Sequence, residues 1–145
     1  MTTGPALRLE MSGETTPATL EEIQRFVEEG CRRAGAGDGV AFDMRLAVDE
    51  ACTNIAEHGY GGKPGPIGLV LEARPGEFRV AITDRARPFA PERVPAADVS
   101  ADLEAREPGG LGWHLIRQVT DEVAYKSDPG QGNCLILTRR TSLVG

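Results

Sequence analysis

Glu50, Asn54 and His58 recur at intervals of four within LAVDEACTNIAEHGY (Leu46–Tyr60), which stacks a carboxylate, an amide and an imidazole along one face of a helix. Buried polar groups lose hydration unless something pairs with them, so such a face points toward a site. The alternative is a solvated polar stripe. On the same segment Met44, Val48, Ala51, Cys52 and Ile55 keep their own three-to-four spacing and supply the side that anchors the helix. The oxygen of an amide such as Asn54 suits Mg2+, an ion that prefers an octahedral oxygen shell, keeps waters and bridges phosphates. Glu50, one turn earlier, can take a proton from an attacking hydroxyl or water.

Two further stations have a physical use near a nucleotide. Asp84 closes an apolar run and is followed by Pro88 and Phe89 in DRARPF; a carboxylate there can accept from an exocyclic amine such as that of adenine. Gly109, Gly110 and Gly112 precede an amphipathic segment, where bare backbone lets N–H groups approach phosphate oxygens at the positive end of a helix. Each has a plainer reading: a turn-forming Asp, and an ordinary helix entry. There is no GxxxxGK[ST] phosphate loop. His58 reads as a helix C-terminal histidine facing the dipole, and Trp113 as packing.

The elements that must hold these stations follow from periodicity and punctuation. Residues 6–11 alternate as a first strand. A helix capped by Thr16 or Thr19 carries Leu20, Ile23, Val27, Cys31 and Ala34 and ends at Gly35. Asp38 caps a second helix reaching about His58, which stops at GYGGKPGP. Residues 67–73 and 78–83 make a hairpin about a Pro-Gly turn. From 85 to about 107, prolines break the pattern into a long loop of the kind that serves as a lid, with room for a short helix at 96–105. A third helix buries Leu111, Leu115, Ile116 and Val119, and residues 123–126 and 133–139 close as a second hairpin around DPGQGN. Four of five strands pair as hairpins, so the expected fold is an α/β (α+β) two-layer sandwich. Its sheet is mixed and mainly antiparallel, with helices on one face, unlike a doubly wound sheet.

At 145 residues the chain is read as a single domain, 1–145. A net charge of −6 argues against nucleic acid or an anionic membrane as a direct partner. No run approaches the length of a membrane helix, and MTTGPALRLEMSGE lacks a basic region followed by an apolar stretch, so a cytoplasmic protein is expected. Cys31, Cys52 and Cys134 are too scattered for a disulfide framework or zinc site and are read as free thiols.

DEACTNIAEHGY, DRARPF and GGLGWHLIRQVTDEV, in that order, resemble the N-box and the two glycine boxes of the anti-sigma-factor serine kinases, within the GHKL ATP-binding superfamily. The resemblance spans nearly the whole chain and implies the Bergerat ATP-binding fold. It implies Glu50 as catalytic base, Asn54 as the Mg2+ ligand, and Asp84 as the adenine acceptor with Ala86 and Pro88 in its box. Gly110, Leu111 and Gly112 would line the phosphates, and about 85–108 would form the ATP lid, with Arg87 or Arg106 meeting the nucleotide. The box normally has glycine where Ala86 stands; a methyl group there weakens nucleotide binding if the backbone has positive φ or lies tight against adenine.

The activity implied is an ATP- and Mg2+-dependent protein serine kinase that binds a sigma factor and phosphorylates a STAS-type anti-anti-sigma antagonist, working as a homodimer. The rival is a non-catalytic module regulating by protein contact, for which Ala86 speaks. A metabolic enzyme using Asp98, Asp102 and Glu104 is the weaker third reading, because charge in a Pro-rich loop is usually a solvated face.

Overall fold

The computed structural model describes residues 7–88 and 110–141. The elements run β1 (Leu7–Glu14), α1 (Pro17–Arg33), α2 (Asp38–Asn54), one π turn (Ile55–Gly59), β2 (Pro66–Arg74), β3 (Glu77–Asp84), α3 (Gly110–Val119), β4 (Glu122–Asp128) and β5 (Gly132–Arg140). The strands form one sheet in the order β1-β2-β3-β5-β4, and every pairing among the described residues is antiparallel.

Period-two alternation decides which face is covered. Leu69 lies opposite Ile82 and Leu71 opposite Val80, which in turn lies opposite Leu137, so one face is continuously apolar. Ile23, Val27 and Cys31 of α1, Met44, Ala47, Val48 and Ala51 of α2, and Trp113 and Ile116 of α3 are buried in the same core. Removing one such Leu or Ile from water contributes about 1.5–3 kcal/mol, which drives the layers together. The opposite face carries rows such as Arg8, Glu72 and Arg79, where Arg8 pairs with Glu72 and Arg79 with Glu77 at partly exposed positions. The expected two-layer sandwich is thus observed.

Local signals explain the helix ends. Thr16, rather than Thr19, caps α1: its hydroxyl accepts from the Thr19 N–H at 3.2 Å, and Pro17 opens the helix. Asp38 does not cap α2. The cap is Gly37, with no side-chain bond, and Asp38 is the first helical residue, paired with Arg32. Its charge still favours the positive helix end. Strands extend one to three residues past several of the sequence-derived limits, and β1 runs through Gly13. Trp113 takes the core place expected of Leu115, which is half-buried, and the side chain of Leu111, Gly109 and the short helix at 96–105 lie outside the described residues.

α2 packs against both α1 and α3. On the α1 side Gln24 donates to Asp49 at 2.7 Å and Arg45 to Glu28 at 3.2 Å. At the start of α2, Arg139 reaches Asp43 at 3.0 Å and Asp121, just past α3, at 4.0 Å. The end of α3 therefore lies at the beginning of α2.

Candidate functional site

The site is built around the end of α2, where the backbone departs from α geometry. The Tyr60 N–H bonds the Ile55 carbonyl at 2.9 Å, a span of five residues. That wider turn changes the rotation per residue, and His58 is exposed while Asn54 is 6% exposed. The three-residue stripe is thus interrupted: Glu50 and Asn54 share a helical face, and His58 leaves it. Single π turns of this kind are frequent at functional sites.

Asn54 Nδ2 is buried with no hydrogen-bond partner among the described residues. An amide left so is costly, by about 1–3 kcal/mol, unless a ligand completes it. Because its two ends are nearly the same shape, the amide can present either a donor or, flipped, its oxygen at that place. The oxygen fits a hard cation that draws most of its shell from phosphates and water. Among the described residues no three His, Cys, Asp or Glu side chains gather as a metal-ligand set, so any such ion would lean on non-protein oxygens. Glu50 is half-buried, and burial first, then the charge of Asp49, pushes its carboxyl above the usual range.

Asp84 ends β3 on the helix-covered face and is 6% exposed. Its Oδ1 accepts from the Ala86 N–H at 2.8 Å and from Asn133 Nδ2 at 2.7 Å. Burial holds its pKa above the usual carboxylate value, and those two donors offset only part of that rise. Asn133 also donates to the Ala86 carbonyl at 2.9 Å and accepts from the Ser127 hydroxyl at 2.7 Å. Across the turn, the Tyr60 hydroxyl donates to the Pro66 carbonyl at 2.6 Å and accepts from the Arg85 N–H at 2.8 Å. Gly132 completes the floor: its φ is +93°, and a Cβ there would stand 2.5 Å from the Asp84 carbonyl oxygen. Only glycine meets both conditions.

Ala86 is resolved by its surroundings. Among the described residues no non-glycine residue has positive φ, so Ala86 carries no backbone strain of that kind. A Cβ added to Gly59, in the π turn, would lie 2.8 Å from the Ala86 Cβ, and the Arg87 N–H bonds the Gly59 carbonyl at 3.4 Å. Gly59 thus leaves the room that the Ala86 methyl occupies.

Asn54, Asp84 and Ala86 are therefore joined through the Gly59 contact, while Pro88 is exposed at the rim. Gly110, Leu111 and Gly112 form the first turn of α3. Asn133, Ser127 and Tyr60 are site residues that the sequence motifs do not single out. DPGQGN reads as a plain turn, and only the register that sets Asn133 opposite Asp84 reveals its use. Tyr60 stood at the end of a motif with no partner visible in sequence. Cys31, Cys52 and Cys134 are free, as expected. No helix among the described residues is long and apolar enough to cross a membrane.

Comparison with known proteins bears on this arrangement. Serine-protein kinase RsbW of Bacillus thuringiensis (strain Al Hakam) and Serine-protein kinase RsbW of Bacillus cereus (strain 03BB102) are each 30% identical to this chain over 92 residues, covering 61% of it and 58% of the relative. The match thus spans less than two thirds of those relatives' length. A model of the histidine kinase-like ATPase domain matches residues 13–139, from β1 through the last strand. With, among the described residues, an antiparallel sheet under α-helices, an unpartnered amide nitrogen closing α2 and a buried Asp closing β3, the chain belongs to the histidine kinase-like ATPase domain family, which implies that it binds ATP.

Proposed function

We propose that this chain is an ATP- and Mg2+-dependent protein serine kinase that also binds and silences a sigma factor, and that it phosphorylates a STAS-type antagonist in a partner switch. The observation that carries the reading is Asn54, whose buried amide nitrogen has no hydrogen-bond partner among the described residues, one helical turn beyond a half-buried Glu50. Asn54 would hold Mg2+, and Asp84 would accept from adenine, with Ala86 and Pro88 along that edge. Gly110, Leu111 and Gly112 would offer backbone N–H groups to the phosphates. Residues 1–145 would act as one domain, with about 85–108 as the lid, in a cytoplasmic homodimer.

When bound, Mg2+ neutralises phosphate charge and so lowers the cost of transfer. The chain's own residues do the rest. Glu50, pushed up by burial, is a better proton acceptor than an ordinary surface carboxylate and would take the proton of the attacking serine hydroxyl. Asn133, Tyr60 and Gly132 hold the Asp84 turn so that the nucleotide meets a preformed edge. Ala86, the feature favouring a contact-only module, stands in unstrained backbone against Gly59, which removes backbone strain from that rival's argument.

The test is incubation with radiolabelled ATP, Mg2+ and a STAS-domain antagonist. Stoichiometric labelling of a serine or threonine on the antagonist, absent with Asn54→Ala, is expected. Tight binding of sigma factor without any labelled antagonist would instead establish the contact-only module.

A further inference from the structure

Asn133 commits its amide nitrogen to the turn that carries Asp84 and its amide oxygen to Ser127 of β4. Its Nδ2 donates to Asp84 Oδ1 at 2.7 Å and to the Ala86 carbonyl at 2.9 Å, and its Oδ1 accepts from Ser127 at 2.7 Å. The Ala86 N–H, at 2.8 Å, is the second donor on Asp84 Oδ1. Two donors fill the lone pairs of that one oxygen, and no donor among the described residues is given to Oδ2, the oxygen left for a ligand. Hydrogen bonds from N–H groups also favour the ionised carboxylate, which accepts and cannot donate. Such an oxygen matches the 6-amino group of adenine. Against the 6-oxo group of hypoxanthine or guanine it sets lone pair against lone pair, a repulsive element of the kind that makes specificity.

We propose that Asn133, itself oriented by Ser127, is a positioning residue that sets the base selectivity of the site: it fixes Asp84 as an acceptor and so admits 6-amino purines and rejects 6-oxo purines. The inference rests on the reading of Asp84 as the adenine acceptor. Asn133 need not touch the base; it acts through the carboxylate. Without it, Asp84 Oδ1 loses one of two donors, the carboxylate is free to rotate or to hold a proton, and a protonated carboxyl can donate to a 6-oxo oxygen.

ATP and ITP carry the same triphosphate and differ only at the base edge, a 6-amino group beside an N1 acceptor against a 6-oxo group beside an N1–H, so their ratio of affinities separates base recognition from phosphate and Mg2+ binding. Calorimetric titration of both nucleotides is carried out on the full chain, on Asn133→Leu and on Ser127→Ala, with circular dichroism and Tm as the record of folding. The wild type is expected to bind ATP about tenfold or more tighter than ITP, as for a site built around a donor on its ligand. Asn133→Leu is expected to bring the two within about threefold, chiefly by loss on ATP, and Ser127→Ala to fall between. A merely structural role would weaken both nucleotides alike and leave the ratio in place. An unchanged ratio in folded Asn133→Leu overturns the inference while ATP binding itself stands. Should Asn133→Leu fail to fold, Ser127→Ala, altered at an exposed position on the edge strand, decides in the same way. Equal affinities in the wild type also overturn it, and a wild type that binds neither nucleotide removes the reading of Asp84 along with it.

Discussion

Glu50→Gln is expected to lower phosphate transfer to the antagonist by about 10²–10⁴-fold while leaving ATP affinity within about twofold, since it deletes a proton acceptor and keeps the shape of the side chain. The half-buried position of Glu50 raises its pKa through desolvation, with Asp49 adding to it. Transfer needs the ionised form, so the rate falls as pH drops through that raised pKa, and the acid limb of kcat/KM should lie above the ordinary carboxylate range. The variant should lack that limb. Stability moves in the opposite sense: a carboxyl whose folded pKa is raised favours the folded state at low pH and loses that contribution as pH rises through the folded value. Glu50→Gln should therefore not lower Tm at neutral pH, which separates loss of chemistry from loss of fold. Retained transfer would remove Glu50 from the mechanism.

Gly59→Ala should weaken ATP binding by about tenfold and lower Tm, and Ala86→Gly in the same chain should restore both. The added Cβ would stand 2.8 Å from the Ala86 Cβ, and neither methyl can rotate away. Overpacking of this kind costs about 1–3 kcal/mol, and 1.4 kcal/mol is a factor of ten in affinity. Gly59 is not among the glycines of positive φ, so alanine suits its backbone and the contact alone is at stake. Because the contact joins the π turn after Asn54 to the turn after Asp84, separating the two spoils both ends of one nucleotide site. Calorimetry and thermal denaturation on the two single variants and the double form a cycle that tests this. Simple additivity of the two changes would show that the residues are not coupled.

The parts of the fold legible in sequence were those written as repeating apolar spacing. The buried set Met44, Val48, Ala51, Cys52 and Ile55 fixed the core side of α2, and alternation in residues 67–73 and 78–83 fixed that of β2 and β3. Glu50, Asn54 and Asp84 could be singled out because carboxylates and amides on otherwise apolar segments need a reason. What stayed hidden depends on register or on backbone rather than side-chain pattern. Counting by four carried His58 onto the Asn54 face, and the π turn at Ile55–Gly59 moved it away. Asn133 lies 49 residues from Asp84 in sequence, and only the pairing of β3 with β5 brings them together. Tyr60 joins Pro66 to Arg85 through a hydroxyl whose partners are both main-chain atoms and so leave no trace in residue identity. The residue that makes room for the Ala86 methyl, Gly59, belongs to a different motif, so the contact cannot be read from the box that holds Ala86.

The central claim is that the end of α2 and the end of β3 enclose a nucleotide site completed by Asn54. Calorimetric titration with ATP, with and without Mg2+, on the wild type and on Asn54→Ala, tests it most directly. Micromolar binding that strengthens with Mg2+ in the wild type and loses that dependence in the variant is the expected result. Binding that is absent from a folded wild type, or that is the same in Asn54→Ala at both Mg2+ conditions, would contradict it.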